Sequence, residues 1–163
     1  MKYIVFFYIS ISILFFSGCK PNIVLEQNTV IKNNTVWEGT IHIKGDVFVD
    51  KGVKLIIKPG SIIIFDILKQ NVSIDEMIKE GPYSPQAELI INGAIEAEGT
   101  SEKPIIFTSK TDKDKVKEGQ WGSINFIGSE HGSLKYCEIR GAYMGVHIHS
   151  STISIENCKF INN

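Results

Sequence analysis

Arginine is almost missing from this chain: Arg140 is the only one among 17 basic residues. One guanidinium excludes a function built on several bidentate clamps for carboxylate or phosphate. Charge of one sign is missing too. A net charge of −1 over 163 residues supplies no basic field for nucleic acid, so nucleic acid is not expected as a partner. Cysteine occurs three times, at Cys19, Cys137 and Cys158, which is too few for a disulfide scaffold. A helical hydrophobic period is absent from the stretch "TIHIKGDVFVDKGVKLIIKPGSIIIF", which argues against an α-helical domain there.

What is present begins with an apolar run from Tyr3 to Phe16 behind Lys2, ending in "FFSGC". The run has the length of a signal-peptide core and is short for a bilayer span. Ser17, Gly18 and Cys19 resemble the lipobox of bacterial lipoproteins, with Phe16 where Leu is usual. The resemblance implies a signal peptide over residues 1–18, a lipidated Cys19 and an extracytoplasmic chain held on a bacterial membrane. In a Gram-negative cell, Lys20 in place of Asp resembles outer-membrane sorting. The polar stretch that follows, part of a segment 19–40, reads as a tether and N-terminal cap.

From Ile41 onward, apolar residues alternate in short pairs: Ile41 and Ile43, Val47 and Val49, Leu55 and Ile57, Ile62 and Ile64. Turn signals Gly45-Asp46, Lys51-Gly52 and Pro59-Gly60 separate them, the pattern of half-buried strands. "ELIINGAIEAEGTSEKPIIFTS" reads as a second copy, with Leu89 and Ile91 aligned to Leu55 and Ile57, and Ile95 and Ala97 to Ile62 and Ile64. "WGSINFIG" begins a third copy, with Ile124 and Phe126 inward. "LKYCEIRGA" then repeats as "IENCKFINN" at a shift of 21 residues, which sets Cys158 on Cys137, Phe160 on Ile139 and Asn163 on Ala142. Short strands stacked turn on turn predict a parallel solenoid. Two segments interrupt it. Residues 66–86 hold Ser73 and Glu76 at capping-box spacing, and the charged stretch 108–120 reads as a solvated loop.

"GDVFVDKGVKLIIKPGSIIIF", "AEGTSEKPIIFTS", "WGSINFIG" and "IENCKFINN" resemble successive coils of right-handed parallel β-helix proteins, the pectate-lyase-like superfamily. The resemblance covers about residues 41–163. It implies an all-β, right-handed parallel β-helix of about three coils, and it implies no single activity, because the fold carries enzymes, adhesins and structural modules. With only "INN" after Phe160 and no polar cap, the expectation is a coil cut short. Either the reading frame was once longer, the open end stacks on another copy, or the last coil frays.

Each candidate site has a plainer reading beside it. Cys137 and Cys158 fall inward on adjacent coils and read as a buried thiol ladder, since parallel stacking is a poor approach to disulfide geometry; a metal would need further ligands. His147 and His149 share an outer strand face and read as solvent-facing, with a transition metal as the alternative. Glu96 and Glu98 share an outer face, where paired carboxylates serve acid/base chemistry or hold calcium. Lyases of the family use an Arg or Lys base with an acidic calcium cluster, and Arg140 is the sole Arg. Asp112 and Asp114 alternate with lysines and read as a neutralised loop. No catalytic set emerges. The expected function is a lipid-anchored β-helix module that binds a surface glycan or protein or is structural, able to associate end to end and needing no cofactor. The alternative is a polysaccharide lyase or glycoside hydrolase, with calcium entering only under the lyase reading.

Overall fold

A computed structural model describes residues 21–67, 87–111, 113–129 and 131–163. The candidate helix around Ser73 and Glu76, Asp112 and the leader through Lys20 lie outside the described residues. The strands, in chain order, are β1 (Asn22–Leu25), β2 (Thr29–Ile31), β3 (Thr35–Trp37), β4 (Thr40–Ile43), β5 (Val47–Val49), β6 (Lys54–Ile57), β7 (Ile62–Phe65) and β8 (Leu89–Ile91). They continue with β9 (Ala94–Glu98), β10 (Ile105–Ser109), β11 (Ile124–Ile127), β12 (His131–Lys135), β13 (Cys137–Arg140), β14 (Val146–His149), β15 (Ile153–Glu156) and β16 (Lys159–Ile161).

Every third strand joins the same sheet. The first sheet runs β1-β4-β7-β10-β13-β16, the second β14-β11-β8-β5-β2, and the third β15-β12-β9-β6-β3. The strand pairs are all parallel. This is the right-handed parallel β-helix that the repeat predicts, and its handedness is the one that twisted strands enforce on parallel crossovers.

Alternation works as the sequence implies. Ile41, Ile43, Val47, Val49 and Leu55 are fully buried, and Ile57 nearly so. Each inward side chain lies on the one a turn below, so the core is a set of columns, and Phe65 stacks flat on Trp121 with ring centres 4.0 Å apart. The Trp121 indole N–H donates to the Arg140 carbonyl at 2.7 Å. The 21-residue repeat is borne out: Leu134 pairs with Ile155 and Ile139 with Phe160, and the Asn163 side chain accepts from the Ala142 N–H at 2.9 Å.

Four expectations need correction. Leu89 and Ile91 stack on Val47 and Val49, and Ile95 and Ala97 on Leu55 and Ile57; the proposed alignment was one strand out. All three sheets share the same alternation, so a pattern match cannot tell which sheet a strand enters. In β7 the inward residues are Ile63 and Phe65, while Ile62 and Ile64 face out half-buried. A continuous run "IIIF" carries no alternation to set its phase. Part of the polar stretch read as tether is already solenoid: β1 and β2 pair with β4 and β5.

The charged loop is the fourth correction. Thr108 and Ser109 belong to β10; the loop after them keeps Asp114, Lys117 and Glu118 exposed, as expected of a solvated loop, and is in addition tied down to the solenoid. Val116 is buried. Gln120 Oε1 accepts from the Ser109 hydroxyl at 2.7 Å and from the Lys117 N–H at 3.1 Å. The Gly119 and Gln120 N–H groups donate to the carbonyls of Ala142 and Gly141. A 3-10 turn at Lys113–Lys115 lies within this loop, which is tied to the residues that follow β13.

Candidate functional site

The second sheet's outer face gathers polar side chains from distant parts of the sequence. Register makes it so: Val47 pairs with Leu89 and Leu89 with Ile124, so the residues just before them, Asp46, Glu88 and Ser123, form one column. Beside it runs a second column, Val30, Phe48, Ile90, Asn125 and His147. An acidic and hydroxyl edge therefore borders an apolar strip that ends in an amide and an imidazole.

Glu88 is the hub. Its Oε1 accepts from the Ser123 hydroxyl at 3.0 Å and its Oε2 from the Asn125 amide at 3.4 Å. Asp46 Oδ1 accepts from the Glu88 backbone N–H at 3.1 Å. Gly122 makes room, because a Cβ there would collide with the Glu88 side chain. Burial pushes the Glu88 carboxyl above its ordinary pKa; the Ser123 and Asn125 bonds pull it back, and the Asp46 charge adds a further upward push. Burial also raises Asp46, against a lowering from its bond to the Glu88 N–H. Asn125 is 4% exposed, and its Oδ1 accepts no hydrogen bond. Leaving such an oxygen unpaired costs about 1–3 kcal/mol, so this face is short of donors.

His147 and His149 extend the face by one turn, beside Asn125 and Ile127. Their rings meet edge to face with centres 4.2 Å apart. Among the described residues, no group of three or more His, Cys, Asp or Glu is arranged to hold a metal ion.

The other sequence candidates lie apart from this face. Arg140 is on the first sheet, paired with Glu138 two residues before it on the same strand. Glu138 also meets Lys159 at 3.4 Å. Burial alone would raise the Glu138 carboxyl, yet Arg140 and Lys159 together hold it below its ordinary range. Glu96 and Glu98 are on β9 in the third sheet, where Glu96 accepts from Lys54 at 2.5 Å and Glu98 from the Ser133 hydroxyl at 2.9 Å. Arg140 and the two glutamates thus stand on different sheets, and the structure does not assemble them. Asp114 is exposed within the 3-10 turn. Cys137 is buried and Cys158 half-buried, and both are free thiols.

Sequence reasoning missed Asp46, Glu88, Ser123 and Asn125. A signal was available: Asp46 and Glu88 each immediately precede a strand of the same sheet, but only the correct register reveals it.

Among protein families, the model described as pectate-lyase like beta helix domain matches residues 26–133. No curated protein and no solved structure matches the chain.

Proposed function

This chain belongs to the pectate-lyase-like β-helix domain family, and from that premise we propose that it is an extracytoplasmic, lipid-anchored module that binds a surface glycan on its second sheet. The observation that supports this reading is the donor-poor cluster of Glu88, Asp46 and the unpaired Asn125 Oδ1. Sugar hydroxyls are donors, and the adjacent Phe48 and Ile90 offer an apolar strip for a pyranose face, a mixture typical of ligand sites. The anchor rests on the "FFSGC" motif and Cys19. No helix among the described residues is long and apolar enough to cross a membrane.

The test is binding of the full chain to immobilised neutral polysaccharides. Glu88→Gln and Phe48→Ala each weaken capture about tenfold, the loss of one good hydrogen bond or apolar contact; Glu96→Gln leaves it unchanged. Capture insensitive to both substitutions contradicts the assignment of this face. Palmitate labelling of expressing cells, lost in Cys19→Ser, tests the anchor.

A second reading is glycoside hydrolysis, supported by one observation: Asp46 and Glu88 are carboxyls on adjacent turns, both pushed upward by burial. A carboxyl kept protonated beside a second carboxylate is what glycosidases use. New reducing ends that vanish in Glu88→Gln support hydrolysis; binding without reducing ends supports the module.

A further inference from the structure

The third and first sheets meet at a corner where successive turns carry Tyr136 and Asn157, both with left-handed backbone (φ 48° and 53°). The next residue in each turn is a cysteine. Because Ile139 pairs with Phe160, Cys137 and Cys158 stand at equivalent points of adjacent turns, about 4.8 Å apart along the solenoid. Cys137 is fully buried, 3.3 Å from the Ala97 carbonyl. Cys158 lies 3.3 Å from the Leu134 carbonyl. Both cysteines line a cleft of about 380 Å³, together with Thr100, Pro104, Tyr136, Glu138 and Lys159.

The two thiols are unequal. The Cys137 thiol keeps its proton and shares it with the Cys158 sulfur, so Cys158 is lowered to about 7 while Cys137 is pushed well up. The half-buried Cys158 is thus the more accessible sulfur and the one that favours the thiolate, while the fully buried Cys137 favours the protonated thiol. Those are the attributes of an attacking thiol and a resolving thiol.

We propose that Cys158 and Cys137 form a thiol–disulfide exchange site for low-molecular-weight disulfides that enter this cleft. The Cys158 thiolate attacks one sulfur of the incoming disulfide, breaking its S–S bond, forming a mixed disulfide and releasing one thiolate. Cys137 then attacks the Cys158 sulfur, its proton passing to the departing sulfur, which leaves as the second thiol. Two protein thiols are oxidised to one disulfide, and the small disulfide is reduced to two thiols. The parallel approach is imperfect for a crosslink. Cys158, however, sits in the connection between β15 and β16, outside the strand ladder, where its side chain can adjust without breaking a strand pair. The crosslink staples the β16 turn to the β13 turn.

The experiment is incubation of the reduced full chain with oxidised glutathione, an acid quench and peptide mapping by mass spectrometry, which separates Cys19 from the pair. A glutathionyl adduct on Cys158 that gives way to a Cys137–Cys158 disulfide is expected. In Cys137→Ser the adduct persists; in Cys158→Ser, Cys137 reacts at least about tenfold more slowly than Cys158 does in the unaltered chain. Equal reactivity of the two thiols, or an adduct as persistent in the unaltered chain as in Cys137→Ser, overturns the proposal. Alkylation of the unaltered chain by iodoacetamide provides a check without substitution. A rate at Cys158 half-maximal near pH 7 is expected, and a midpoint at the ordinary thiol value of about 8.5 counts against it.

Discussion

Two carboxylates on this solenoid occupy the same kind of place and behave oppositely. Glu88 and Glu138 both extend from outer faces and are both substantially buried there. Glu138 has Arg140 and Lys159 beside it and is pulled down in pKa. Glu88 has only the neutral donors Ser123 and Asn125, a neighbouring carboxyl, and a pKa pushed up. A cation offsets the cost of dehydrating a charge, whereas neutral donors offset only part of it. The first sheet's charge is therefore spent within the fold, and the second sheet's acceptors remain short of partners. The difference marks one face as internally ion-paired and the other as the face on which the proposed glycan site rests.

The largest expected effect is on the ion-paired face, where Arg140 meets Glu138 although its own Nε has no acceptor. Arg140→Met leaves Glu138, whose side chain is 14% exposed, with only Lys159, and lowers stability by about 2 kcal/mol. The midpoint of urea unfolding measures this. Adding Glu138→Met to Arg140→Met recovers most of the loss, and a double substitution as unstable as the single one would break the comparison.

Glu88→Gln acts in the opposite direction. Removing a charge that burial disfavours stabilises the fold at pH 7, by less than about 1 kcal/mol, while capture of glycan falls.

The pH dependence separates the faces by sign. A carboxyl raised in the folded state binds more protons there than in the unfolded chain, so stability falls as pH rises from the ordinary carboxylate range (about 4) through the raised values of Asp46 and Glu88. Glu138, lowered in the folded state, stabilises above the ordinary value of 4.5 and loses that contribution as pH falls below it. Thermal melts across about pH 2 to 8 should show Glu88→Gln flattening the upper limb and Arg140→Met the lower one. The smallest effect is on the third sheet. Lys54→Ala breaks a half-exposed pair with Glu96 and shifts stability by at most about 0.5 kcal/mol.

The solenoid was legible in the sequence because each inward pair, such as Ile41 with Ile43 or Val47 with Val49, is bracketed by its own turn signal. The Cys137 and Cys158 repeat fixed the last turns for the same reason, since a cysteine column with Leu134 on Ile155 has one register. The middle was harder. With residues 66–86 inserted after β7, Leu89 could be laid on Leu55 as easily as on Val47, and alternation is blind to that choice. The face around Glu88 follows from that register alone: Glu88 lies 42 residues from Asp46 and 35 from Ser123. No local motif links residues so far apart. The Glu138 and Arg140 pair was not singled out from the sequence either, although it needs only one strand, since residues two apart share a face.

The most direct test is the titration of carboxyl carbons by nuclear magnetic resonance, comparing Glu88 with Glu138 before and after addition of a captured glycan. The account predicts that Glu88 titrates above the ordinary value and Glu138 below it, and that the glycan moves Glu88 alone. Matching titrations of the two carboxyls, or a glycan that moves Glu138 and leaves Glu88 in place, would contradict it.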